Sequence, residues 1–200
     1  MPTQSSIHFF VNWAKERLDE MEAVLTSLES KAGEVQAEAR DKAGKALADL
    51  RKTRDVFQET VQKHAEANES AWISAKARLE PEWKSFEADV EKYVESFSKA
   101  IEEQQVTFKL QAAAQLKAWR EAADKLGGDA ERFATERRAE IDASVKRMQA
   151  DAAVAENQLQ QQLAQLGSQS WSALMATLTE SRAAFDRANQ AAREAFKRAS

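Results

Sequence analysis

The chain predicts an all-α fold of long amphipathic helices, packed as an elongated antiparallel bundle or a coiled-coil-like assembly. Three observations carry that expectation. Apolar residues recur at helical spacing over nearly the whole length. Turn-forming residues are scarce, with five Gly and two Pro in 200 residues. The balance of 31% charged and 43% hydrophobic residues suits helices with one wet and one dry face. The periodicity is strongest in a lane of eleven-residue steps: Phe86, Phe97, Phe108, Trp119, Ala130, Ile141, Ala152, Leu163, Leu174, Phe185 and Phe196 contain no polar residue. Eleven residues make three turns at about 3.67 residues per turn, so the lane forms a nearly straight apolar stripe.

Pro2, Thr3, Gln4 and Ser5 form a short lead, and Ser6 reads as the N-cap of a first helix. Ile7, Phe10, Val11, Ala14, Leu18, Met21, Leu25 and Leu28 then follow at three- and four-residue steps. Gly33 and Gly44 each cost about 1 kcal/mol relative to Ala within a helix, too little to end one. The first helix is therefore expected over 6–79, with a division near residue 68 where Asn68 or Ser70 can cap a new start. Unbroken, it would be about 110 Å long. Pro81 disfavours helical geometry at Glu80, so a helix over 81–126 begins there or the rod kinks. Gly127-Gly128 followed by Asp129 as an N-cap is the clearest stop and restart, giving a helix over 129–166. Gly167 with Ser168 and Ser170 makes a similar break before a last helix over 169–198.

Two further lanes share the eleven-residue period: Leu28, Ala39, Leu50, Val61, Trp72, Trp83 and Val94, and Val35, Ala46 and Phe57, resuming at Leu79 and Val90. A shared period across lanes argues for one ancestral unit and a single elongated domain over 1–200.

A net charge of −4 argues against a nucleic-acid partner, which calls for a basic face. The absence of Cys removes disulfides, thiolate metal sites and cysteine nucleophiles. No stretch approaches the roughly 18 to 20 apolar residues of a membrane span. The patch from Ile7 to Trp13 lacks the preceding basic residue and following small-residue site of a signal peptide, so a cytoplasmic location is expected. Charge is uneven along the chain. Residues 80–103 carry eight acidic side chains against three lysines, whereas 182–200 carry five basic against two acidic. The basic end either complements a helix dipole or pairs with the acidic middle or an anionic surface.

No catalytic, cofactor-binding or metal-binding residue emerges, and an enzyme is not expected. Val61 occupies the place before His64 that a Glu-x-x-His metal pair would fill, and His8 lies far away in sequence. No glutamate falls in an apolar lane, so the carboxylates read as a solvated face rather than acid–base groups. Gly127-Gly128 lacks the further Gly and Lys of a phosphate loop.

The tandem eleven-residue amphipathic units, punctuated by Pro and Gly, resemble the exchangeable apolipoproteins. Lys31-Ala32-Gly33-Glu34 against Lys42-Ala43-Gly44-Lys45 is similar to the late embryogenesis abundant proteins with eleven-residue repeats. In size and composition the chain also resembles the phasins that coat bacterial storage granules. These resemblances imply helices that pack together in solution and can open onto lipid.

Two functions are thus expected. The preferred one is a non-catalytic helical scaffold or assembly protein that associates with itself or another helical protein. Its expected contact surface is Phe10, Trp13, Trp72, Trp83, Phe86, Phe97, Phe108, Trp119, Leu163, Leu174, Phe185 and Phe196. The alternative is a peripheral coat for lipid or a storage-granule surface, with Lys84, Lys109, Lys117 and Arg120 snorkelling beside the apolar face. Leu159, Leu163 and Leu166 within a glutamine-rich run read as a helix-association segment.

Overall fold

The computed structural model describes residues 5–165 and 170–200, with side chains from His8 onward. Among these residues there are six α-helices and no strand: α1 (Ser5–Lys31), α2 (Arg40–Lys63), α3 (Glu69–Phe97), α4 (Ile101–Ala130), α5 (Thr135–Ala164) and α6 (Trp171–Ala199). The all-α expectation holds, and the helices pack against one another as bundles. The described chain divides into two units. The first takes the start of α1 up to Glu16 together with everything from Gln115; the second is Arg17–Ala114.

Several helix limits differ from those read in the sequence. The first helix ends at Lys31, and two short 3-10 turns, Ala32–Glu34 and Ala37–Ala39, precede α2. Between them Val35 and Gln36 are extended, with ψ of 137° and 140°. A glycine penalty of about 1 kcal/mol does not enforce this break. The gain comes from folding α2 back, which buries Leu47, Leu50 and Phe57 and sets Arg51 against Glu29 and Arg54 against Glu22. The division expected near residue 68 is present: the Asn68 side chain caps α3 by accepting from the Ala71 N–H at 2.9 Å.

Pro81 neither opens a helix nor ends one; α3 runs through it. Leu79, Trp83 and Phe86 on either side of it are buried while Pro81 is exposed, so packing of the inner face outweighs the missing N–H. The next interruption comes at Ser98–Ala100, within the span read as one helix. Ser98 leaves helical geometry at φ −124°, ψ 59°; its hydroxyl donates to Glu103 at 2.8 Å and its carbonyl accepts from Gln104 at 2.9 Å. Gly127-Gly128 is not a break either. Both lie in α4, which continues to Ala130 because Leu126 and Ala130 are buried, and Asp129 is a helical residue rather than a cap. The turn follows at residues 131–134, where Phe133 meets Phe196 edge-on with centroids 5.7 Å apart. Ser6 likewise lies inside α1. The expected Gly167-Ser168 break and Leu166 lie outside the described residues, but Ser170 accepts from the Ala173 N–H and caps α6.

The first unit is built on a core of Phe9, Trp119, Leu126, Ile141, Met148, Phe185 and Phe196 filled in with alanines of α4, α5 and α6. Trp119 meets Phe185 edge-on at 5.5 Å, and Phe9 meets Phe196 at 5.4 Å. The second unit packs α2 against α3 and buries Phe57, Trp72, Leu79, Trp83, Phe86 and Tyr93 with the later residues of α1. No helix among the described residues is long and apolar enough to cross a membrane.

Candidate functional site

The interior of each unit contains polar groups that the sequence did not single out. Glu16 and Glu20, one turn apart on α1, are both 0% exposed. This corrects the expectation that every glutamate is solvated. Burying a carboxylate is costly unless its oxygens are partnered; Glu20 Oε2 accepts a hydrogen bond from a neutral amide, whereas Glu16 Oε1 faces a cation beyond hydrogen-bond distance.

In the first unit, Arg182 of α6 approaches Glu16 with Nε 3.9 Å from Oε1, both side chains inside. Two turns along α6, Asn189 Nδ2 donates to the Phe9 carbonyl at 2.9 Å. Gln115 Nε2 donates to the Leu178 carbonyl at 3.1 Å, and Trp119 Nε1 to the Met148 carbonyl at 3.1 Å. Three side chains thus donate to backbone carbonyls within a neighbouring helix. Each such bond forms at one relative position of its two helices, so together they fix register where apolar packing alone tolerates slippage. Arg193 lies over the Phe10 ring, 4.9 Å from its centroid.

The second unit repeats the device with other chemistry. Gln111 Nε2 of α4 donates to Glu20 Oε2 at 2.7 Å, and the Ser27 and Thr107 hydroxyls lie 2.7 Å apart. Thr107 is also placed by its own helix, through a 3.1 Å bond to the Glu103 carbonyl.

The residues expected to form a contact surface are placed mainly inside. Phe10, Trp13, Trp72, Trp83, Phe86, Phe108, Trp119, Leu174, Phe185 and Phe196 are buried, while Phe97 and Leu163 are half-buried. The eleven-residue lane is therefore a core lane of the chain's own packing. Apolar side chains that do face solvent lie elsewhere: Val56, Ile73, Ile101, Val106, Leu110 and Val154. Lys84, Lys109, Lys117 and Arg120 are exposed as expected, with Arg120 paired to Glu156 and Lys117 3.8 Å from Glu121.

The two histidines are in structural settings. His64 Nδ1 lies 2.7 Å from the Thr60 carbonyl and its ring tilts against Trp72. His8 Nε2 lies 3.8 Å from Asp129; partial burial and the nearby Lys125 hold its pKa below the usual imidazole value, with Asp129 opposing them. Burial and the negative charge of Glu103 push the Tyr93 hydroxyl above its ordinary range. Lys15, bonded to Glu121, holds that carboxyl below the usual carboxylate range. Among the described residues no three His, Asp or Glu gather as a metal ion would require.

The polar interior was missed for a readable reason. Glu16 and Glu20 fall between Trp13, Met21 and Val24 on a helix whose apolar residues already cover a wide arc. An arc that broad on α1 signals a helix surrounded by others, and polar residues inside it need internal partners.

No family model, curated protein or solved structure matches this chain.

Proposed function

We propose that the protein is a non-catalytic helical assembly protein that acts through helix faces and associates with itself. One observation carries this reading. The buried carboxylates, which are the groups best suited to acid–base chemistry, are engaged by Arg182 and Gln111 inside the packed bundles. They set helix register, which leaves the outer helix faces as the means of action. Since the aromatic lanes serve the internal core, contacts with other molecules use the exposed faces in this folded form.

A second reading, a peripheral coat on lipid or another apolar granule surface, is favoured by one specific feature. The first unit's core includes Ala122, Ala123, Ala152, Ala155, Ala188, Ala192 and Ala195. An alanine side chain buries far less apolar surface than leucine, and burial contributes about 25 cal/mol per Å2, so these helix contacts cost less to open. Opening would turn the lanes outward onto an apolar surface.

Sedimentation velocity and far-ultraviolet circular dichroism, with and without anionic vesicles, separate the two. The assembly reading expects concentration-dependent association and no response to vesicles. Binding to vesicles with altered helicity, from a protein that is monomeric alone, would replace it with the coat reading.

A further inference from the structure

A groove of about 340 Å3 lies between α5 and α6 of the first unit, lined in part by Asp151, Val154 and Gln158 on one helix and Glu180, Ala184 and Arg187 on the other. The Glu140–Arg198 ion pair marks the antiparallel register of these helices. Eleven residues on from Glu140 and eleven back from Arg198, Asp151 stands level with Arg187. Seven residues further, Gln158 stands level with Glu180, and Val154 lies between them beside Ala184.

Two features of this face are unspent. Val154 is 55% exposed although it lines the groove. Glu180 and Arg187 are both exposed, and neither forms an ion pair with any described residue. Some neighbouring charges elsewhere are matched within the chain, as in Lys76–Glu80, Arg138–Asp142 and Arg120–Glu156.

The pattern is complementary to itself. Glu180 and Arg187 are two turns apart, about 10.5 Å along the helix. A two-fold axis between Ala183 and Ala184 would lay α6 antiparallel to its copy and set Glu180 of each chain opposite Arg187 of the other. Small side chains at the axis let the two backbones approach, and the exposed Val154 of each chain is covered. We propose that this α5–α6 face is an isologous dimer interface whose occupant is a second copy of the same chain. The inference rests on the self-association reading and names its surface.

Charge reversal on the full-length chain, read by sedimentation equilibrium, is the test. Glu180→Arg alone and Arg187→Glu alone each place like charges opposite one another at both ends of the contact, and each should weaken dimerisation about tenfold or more. An equimolar mixture of the two variants restores opposite charges at both ends and should form a heterodimer as tight as the wild-type dimer. Both sites are exposed, so helicity and thermal midpoint serve as checks that folding is unchanged. A wild-type protein that stays monomeric overturns this proposal together with the self-association reading. A wild-type oligomer that neither variant weakens, or variants that fail to recover on mixing, overturns this interface alone.

Discussion

Asn189 donates from Nδ2 to the Phe9 carbonyl at 2.9 Å, seven residues along both helices from the point where Arg182 meets Glu16. Contacts spaced by seven on α6 and by seven on α1 define one antiparallel register for the pair. A slip by one helical turn would break both at once and leave Glu16 inside without its cation, so α1 is held in the first unit by chemistry as well as by apolar area.

Removing one member of the Glu16–Arg182 pair should therefore cost more than removing both. Arg182→Met leaves a buried carboxylate uncompensated and should lower unfolding free energy by about 3 kcal/mol in urea titrations. Arg182→Met combined with Glu16→Met removes the charge as well and should return stability to within about 1 kcal/mol of wild type. Equal losses in the single and double variants would show that the pair's geometry, at 3.9 Å, is too loose to matter.

The lanes make a graded prediction, because the structure ranks their members. Phe108 and Phe185 are fully enclosed, whereas Phe97 is half-buried beside Tyr93 at the end of α3. Phe108→Ala and Phe185→Ala should each cost about 3 to 5 kcal/mol, and Phe97→Ala distinctly less. Chemical denaturation of the three variants checks the order; equal costs would mean that lane membership rather than enclosure sets the energy.

Period was legible in the sequence, while chain reversal was not. Trp119, Ile141, Phe185 and Phe196 follow the eleven-residue step and all lie in the core. That step records which side of a helix is dry, and this is a local property. Reversals depend on whether folding back buries more than continuing straight, which is why a modest signal at Gly33 coincides with a turn, and Ser98 marks another where no break was expected, whereas strong signals at Pro81 and Gly127-Gly128 do not. The polar interior was hidden for a related reason: the wide apolar arc of α1 is a local trace of it, but Arg182, the partner that Glu16 faces, lies 166 positions away in sequence. The cap at Asn68, whose signal is confined to four residues, was readable.

Glycines placed inside helices without a packing reason make the chain improvable. A Cβ built on Gly44 in α2 or on Gly128 in α4 meets nothing within 4 Å, and one on Gly127 makes only an ordinary 3.7 Å contact with Val145. Gly44→Ala should stabilise by about 1 kcal/mol, and Gly127→Ala with Gly128→Ala by somewhat less than twice that because they lie near the helix end. The spin-label distance between residues 110 and 145 should not change in the double variant, since α4 is already helical through 127–128. A change in that distance would mean that the two glycines act as a hinge after all.

His8 gives the first unit one source of pH dependence. Its pKa in the folded chain lies below the ordinary imidazole value of about 6.5, chiefly through burial and then through repulsion from Lys125, with Asp129 pulling the other way and Arg132 adding to the repulsion. The folded protein therefore binds this proton less readily than the unfolded chain does. Above about pH 6.5 both states leave His8 neutral and its contribution is fully present. As pH falls through 6.5 the unfolded chain protonates first and stability drops, until pH passes below the lowered folded value and the loss levels off. Comparing urea midpoints of wild type and His8→Gln between about pH 7.5 and pH 5 isolates this step, because carboxylates titrating in the same range are common to both proteins. The wild type should lose more stability across that range than the variant. Parallel curves would show that His8 titrates in the folded chain as it does in the unfolded one, and would remove it as the source of acid sensitivity.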